Sequence, residues 1–135
     1  MTVTTRSEEE TARVARDLAG RLRPGAVVLL FGDLGAGKTA FVRGLAEGLG
    51  IDAGDVSSPT FTIVQHYSGG RVPLMHVDLY RLEPGEVDDL GLDELAADAV
   101  LAVEWAERLP RRPADAIRVS IAHSGEGARI VTLEP

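Results

Sequence analysis

The sequence predicts one α/β domain over residues 1–135, with a mixed parallel and antiparallel sheet flanked by helices. Three observations carry that expectation. Residues 26–31 (Ala-Val-Val-Leu-Leu-Phe) form an uninterrupted apolar run of strand length with glycine on both sides, which suits a strand buried on both faces. A glycine-rich turn and a helical pattern follow it directly. Two glycine-centred turns, Ser68-Gly69-Gly70 and Ser124-Gly125-Glu126-Gly127, each separate two β-rich runs and so impose antiparallel pairs.

The elements follow in order. Ser7-x-x-Glu10 is a capping box, and Thr11, Val14, Leu18 and Leu22 continue it at helical spacing, giving a helix over residues 8–22 that Pro24 and Gly25 stop. After the 26–31 strand and its turn, Phe41, Val42, Leu45 and Leu49 mark a second helix that ends near Gly48 and Gly50. Residues 51–60 read as loop, and 61–67 with 71–79 as a hairpin. Between 83 and 98 acids dominate, with Val87, Leu90, Leu92 and Leu95 suggesting one or two short helices. That acidity reads either as a solvated helix face or as a docking surface for basic partner groups. Residues 99–103 are a further buried-strand run, and 116–122 with 128–133 a second hairpin.

Composition narrows the function. The 135 residues are 44% apolar and 26% charged, a folded globular balance. Fourteen basic against twenty-one acidic residues leave a net charge of −7, which disfavours a surface that grips nucleic acid by itself. The absence of cysteine removes disulfide scaffolds, thiol nucleophiles and cysteine-based zinc sites. No apolar run approaches the ~20 residues that span a bilayer, and residues 1–8 hold no apolar signal core, so the expectation is a cytoplasmic protein away from membranes. There is no asparagine, and thirteen of the fourteen basic residues are arginine. The single lysine is Lys38.

Its context explains it. Gly32, Asp33, Leu34, Gly35, Ala36, Gly37, Lys38 and Thr39 fit G-x-x-x-x-G-K-[ST], placed between a predicted buried strand and a predicted helix. Glycines let successive backbone N–H groups turn inward on phosphate oxygens, and the helix adds its positive end. Lys38 supplies a point charge for the outer phosphates, and Thr39 a hydroxyl for Mg²⁺. Such a phosphate-binding loop needs an acid at the end of a neighbouring apolar strand. Asp78, after Val72-Pro-Leu-Met-His-Val, and Glu104, after Val100-Leu-Ala-Val, both qualify. His76, Asp78 and Tyr80 alternate and so share a strand face, which makes His76 either a hydrogen-bonded structural histidine or half of a His-x-Asp metal pair. Trp105 reads as core packing or as part of a nucleotide pocket. The stretch Ser57-Ser58-Pro59-Thr60-Phe61-Thr62 is either a loop entering a strand or a switch segment whose hydroxyls reach the γ-phosphate and metal. Lack of asparagine removes the Asn-Lys-x-Asp guanine signature, which leaves ATP as the expected nucleotide. A small-molecule kinase and a nucleotide-gated binding module without hydrolysis are the competing classes.

The ordered set Gly-Asp-Leu-Gly-Ala-Gly-Lys-Thr (32–39), Ser-Pro-Thr-Phe-Thr (58–62), His-Val-Asp-Leu-Tyr-Arg (76–81) and Val-Glu-Trp (103–105) resembles the TsaE (YjeE) family, over nearly the whole chain. The resemblance implies a P-loop NTPase-like fold and a cytoplasmic ATPase, weak alone and a monomer when free. It would work with the TsaB–TsaD pair in threonylcarbamoyladenosine modification of tRNA beside the anticodon, touching tRNA only through those partners. By resemblance Lys38, Asp78 and Glu104 carry the catalysis. Thr39 and Glu104 hold Mg²⁺ with Asp78 as a second acid near it, Thr60 belongs to the switch-like segment, and Trp105 lies beside the nucleotide. The family's Gly-Arg-x-Ala-Arg near the bound nucleotide is kept in outline by Gly125, Ala128 and Arg129, while Glu126 and Gly127 depart from it. Ala40 stands where many members have a second threonine, at the cost of at most one contact to the α-phosphate.

Overall fold

The computed structural model describes residues 1–32, 37–52, 64–80, 82–88, 90–95, 97–109, 113 and 115–134. Among the described residues, seven strands form one mixed sheet in the order β1-β7-β6-β2-β5-β4-β3. They are β1 (Thr2–Thr5), β2 (Val27–Phe31), β3 (Val64–Tyr67), β4 (Leu74–Asp78), β5 (Val100–Glu104), β6 (Ile117–His123) and β7 (Arg129–Glu134). The four inner strands β6, β2, β5 and β4 run parallel, and β1, β7 and β3 join antiparallel at the two sides. The apolar run at 26–31 becomes β2, one of the two middle strands of that parallel set, with Val28, Leu29 and Leu30 fully enclosed. Both expected hairpins form, as β3–β4 and β6–β7. β1 is an addition: the short Thr-Val-Thr-Thr stretch lacks the apolar alternation of a strand and is held by its pairing with β7.

Helices α1 (Glu8–Ala19) and α2 (Lys38–Gly48) pack on one face of the sheet. Alternation along each strand splits the interior. Val28 and Leu30 of β2, Leu74 of β4, Val100 and Ala102 of β5 and Val119 and Ile121 of β6 meet α1 and α2. Leu29, Met75, Val77, Leu101 and Val103 point to the opposite face, where the short helices α3 (Pro84–Asp88) and α4 (Leu92–Leu95) and a 3₁₀ turn at Ala106–Arg108 bring Val87, Leu92 and Ala106 against them. The acidic 83–98 stretch thus carries two short helices, with Glu83, Glu86, Glu94 and Asp98 in solvent.

The α1–α2 crossing is close because α2 carries glycines at the contact. A Cβ on Gly44 would lie 2.2 Å from the Ala12 carbonyl oxygen, and one on Gly48 2.5 Å from Ala19 Cβ. α1 begins as expected, with the Ser7 hydroxyl accepting from Glu10 N at 3.1 Å; the Glu10 carboxylate reaches back to Arg6 N at 3.0 Å. α1 stops at Ala19 rather than at residue 22. Arg21 N and Leu22 N turn inward to the carbonyls of Leu18 and Ala19 at 2.9 and 3.1 Å, the tighter spacing of a fraying end. Arg71, far off in sequence, fixes that end by donating to Ala19 O at 2.8 Å and Leu22 O at 3.2 Å. α2 begins at Lys38, three residues before its first apolar marker. Its N-cap is Gly37 at φ +104°, a backbone conformation that glycine adopts without strain. Among the described residues no helix is long and apolar enough to cross a membrane.

Candidate nucleotide-binding site

The parallel strands end side by side. Their register sets Leu30 of β2 and Asp78 of β4 on either side of Glu104 in β5, and β2 feeds the segment that returns at Gly37. This is the carboxyl edge of a parallel sheet, where α/β proteins form their ligand crevices. A cleft of about 500 Å³ opens there, lined by Gly37, Lys38, Thr39 and Ala40 of the α2 start and by Glu104. Its far wall is Ser7, Glu8 and Thr11 at the start of α1, with Gly127 and Arg129 of the last hairpin.

Lys38 is 5% exposed and donates from Nζ to Gly32 O at 2.8 Å. The Trp105 ring covers it, with Nζ 4.4 Å from the ring centroid, a cation–π contact. Trp105 also packs against the second apolar cluster, in line with its core-packing reading. Its backbone is left-handed at φ 59°, the only non-glycine residue so placed among the described ones. Such a conformation costs about 1–3 kcal/mol and persists only where the surroundings hold it. Tyr80, 47% exposed, leans on the outer side of Trp105 at 4.8 Å between centroids, and the Arg108 guanidinium lies 5.9 Å from the Tyr80 ring.

Asp78, Glu104 and His76 occupy one face at the ends of β4 and β5. Glu104 is 5% exposed and meets the ring of fully buried His76, Nε2 against Oε2. Asp78 is half-buried. Burial pushes its carboxyl above the ordinary carboxylate range, against the opposing pull of the Tyr80 N–H on Oδ1 at 2.9 Å, and the Glu104 charge nearby adds to the rise. Tyr80 does not continue the strand face with His76 and Asp78. β4 ends at Asp78, where Tyr80 N turns back to the Asp78 side chain. His76 takes the structural, hydrogen-bonded arrangement, and no group of three His, Cys, Asp or Glu side chains that could hold a metal ion gathers among the described residues.

Of the residues expected at the site, Lys38, Thr39, Ala40, Glu104 and Arg129 come together in the cleft wall, Gly37 with them. Gly32 joins through the Lys38 bond, Trp105 through the Lys38 cation, and Asp78 as the register neighbour of Glu104. Gly125 sits at the hairpin turn with φ +69°, outside the cleft wall, where Gly127 stands instead. Asp33, Leu34, Gly35, Ala36 and Thr60, and with Thr60 the 57–62 switch reading, lie outside the described residues. Sequence reasoning missed Ser7, Glu8 and Thr11 as cleft residues. The capping box located the start of α1 but carries no sign of which strand ends it faces.

Fold and site together define the class: an α/β protein with a G-x-x-x-x-G-K-T segment joining an inner parallel strand to a helix, beside acids on the next two strands. The family model described as "Threonylcarbamoyl adenosine biosynthesis protein TsaE" matches residues 5–131. The chain belongs to the TsaE family. It is similar to the tRNA threonylcarbamoyladenosine biosynthesis protein TsaE of Bacillus subtilis, with 46% identity over 126 residues, 92% of this chain and 78% of that one. The TsaE of a Nostoc species is 43% identical over 133 residues, covering 95% and 82%. The crystal structure of Bacillus subtilis YdiB superposes with a TM-score of 0.78 at 38% identity, over 98% of this chain and 83% of that one.

Proposed function

We propose that this protein is an Mg²⁺-dependent ATPase of tRNA threonylcarbamoyladenosine synthesis, acting in the cytoplasm as a monomer that docks on the TsaB–TsaD pair. The observation that carries the reading is the cleft at the carboxyl edge of the parallel strands, in which the only lysine of the chain and a buried strand-end glutamate share one wall. Family membership supports the pathway, since the relatives are named for it.

The chain's own groups divide the work. The first turn of α2, capped by Gly37 without a side-chain hydrogen bond, receives phosphate oxygens on its N–H groups and its positive end. Lys38 neutralises the outer phosphates, leaving the face of Trp105 for a stronger anionic partner. The donor set fits Mg²⁺: a Thr39 hydroxyl and a Glu104 carboxylate in one cleft are hard oxygen ligands, and this ion takes one or two protein oxygens and completes its shell with phosphates and water. Bound with the nucleotide, the ion would offset charge developing on the transferred phosphoryl group. Thr39 and Glu104 would hold and orient it, Asp78 would lend a second negative charge beside Glu104, and Arg129 lines the same cleft. With tRNA carried by the partners, the net charge of −7 is no obstacle.

Phosphate release from Mg-ATP, measured with this protein alone and with a purified TsaB–TsaD pair, tests the reading. Slow release that rises sharply with the pair is expected. A rate indifferent to the pair, or one that rises instead with a small phosphoryl acceptor, would overturn the tRNA-modification role.

A further inference from the structure

His76 is a polar side chain at this edge that the phosphate chemistry leaves unused. It sits in the middle of β4, opposite Ala102 and two residues before Asp78, with no solvent exposure. Its neighbours on the same sheet face, Leu74 of β4 and Ala102 of β5, belong to the aliphatic core under α1 and α2. One ring nitrogen, Nε2, meets Glu104 Oε2; the other, Nδ1, is buried with no hydrogen-bond partner among the described residues. A buried polar atom left unpaired costs about 1–3 kcal/mol, and an aliphatic side chain would avoid that cost. Packing alone therefore argues against an imidazole here.

What the imidazole gains is Glu104. An ionised carboxylate only accepts hydrogen bonds, so the Nε2 that faces it must carry a hydrogen. That contact fixes one carboxylate oxygen on the sheet side, while Glu104 itself stands in the cleft wall. We propose that His76 is a positioning residue: through Nε2 it holds the Glu104 carboxylate in the orientation that receives the divalent cation accompanying the nucleotide. The inference rests on the nucleotide reading of the cleft. Partners of this kind, which touch a ligand rather than the metal, typically change metal affinity about 10–100-fold when removed.

The experiment is calorimetric titration of ADP into wild type and the variants His76→Leu, His76→Asn and His76→Gln, in EDTA and across a series of Mg²⁺ concentrations, with thermal melts alongside. Leu keeps volume without a donor, Asn carries a donor too short to reach, and Gln places an amide N–H near the position of Nε2. Affinity in EDTA should stay within about twofold throughout. The Mg²⁺ concentration giving half of the metal-dependent gain in affinity should rise about 10–100-fold in Leu and Asn and return most of the way in Gln. A folded Leu or Asn variant with the wild-type Mg²⁺ requirement overturns the inference, as does a Gln variant no better than Asn. Should Leu fail to fold, the Asn–Gln pair decides alone. Wild-type protein that shows no Mg²⁺-dependent gain overturns the nucleotide reading itself, and this inference with it.

Discussion

Gly44→Ala tests the helix crossing that sets the α1 wall of the cleft against α2. The added methyl would stand 2.2 Å from Ala12 O, 2.7 Å from Ala12 Cα and 2.8 Å from Ala12 C. All three are backbone atoms of a helix, so no side chain can swing away. To reach even the tightest contact that a Cβ makes, about 3.0 Å, the helices must part by about 0.8 Å. A gap of that size forfeits roughly a quarter to a half of the dispersion energy between facing atoms of the two helices. Overpacking of this kind costs about 1–3 kcal/mol, and this site belongs near the upper end. Replacing a helical glycine returns about 1 kcal/mol. The net loss is about 2 kcal/mol, or a melting temperature lower by roughly 6–10 °C for a chain of this size. Differential scanning calorimetry reads it, with Gly85→Ala as the control. Gly85 has nothing within 4 Å of its virtual Cβ, so that variant should melt at or slightly above wild type. A Gly44→Ala protein that melts with wild type would refute the close-crossing argument.

Two further outcomes concern stability. Arg71→Met keeps the aliphatic stem but removes the donors to Ala19 O and Leu22 O, and should lower the urea midpoint by the equivalent of about 1.5 kcal/mol; an unchanged midpoint would show that water caps α1 equally well. Burial holds the Asp78 pKa above its ordinary value, so the folded state keeps the proton more tightly than the unfolded state. Its contribution is most favourable below pH 3.8 and is lost as pH rises through the higher folded-state value. Asp78→Asn, which keeps an acceptor for Tyr80 N, should therefore gain on wild type as pH climbs from 4 to 7, read as the difference in melting temperature. A difference that shrinks over that window contradicts the assigned cause.

How far the sequence could be read depended on where the signal was local. The β2 run is buried on both faces, so its apolar continuity is visible without knowing its neighbours, and the same holds for β5. Glycine-centred hairpins announce themselves for the same reason. β1 did not, because four residues that are three parts threonine gain their strand conformation from β7 alone. The early end of α1 was hidden too: Leu22 is as buried as a helical residue would be, and its cap comes from Arg71, 49 residues away. At the site, Lys38 and Thr39 were legible as a motif at a helix start, and Asp78 and Glu104 as acids at strand ends. The pairing of His76 with Glu104 was not, since it needs the β4–β5 register. Nor was the coverage of Lys38 by Trp105, which depends on one left-handed residue after β5.

The most direct measurement is calorimetric binding of Mg-ATP to wild type and to Lys38→Ala. Lys38 is the sole lysine and the cation that the cleft presents beside Glu104. Saturable binding of one nucleotide by wild type is expected, with affinity lower by about 100-fold in a variant that remains folded by circular dichroism, the equivalent of about 2.7 kcal/mol. Equal affinity in Lys38→Ala, or no binding by wild type, would contradict the account of this cleft as a phosphate cradle.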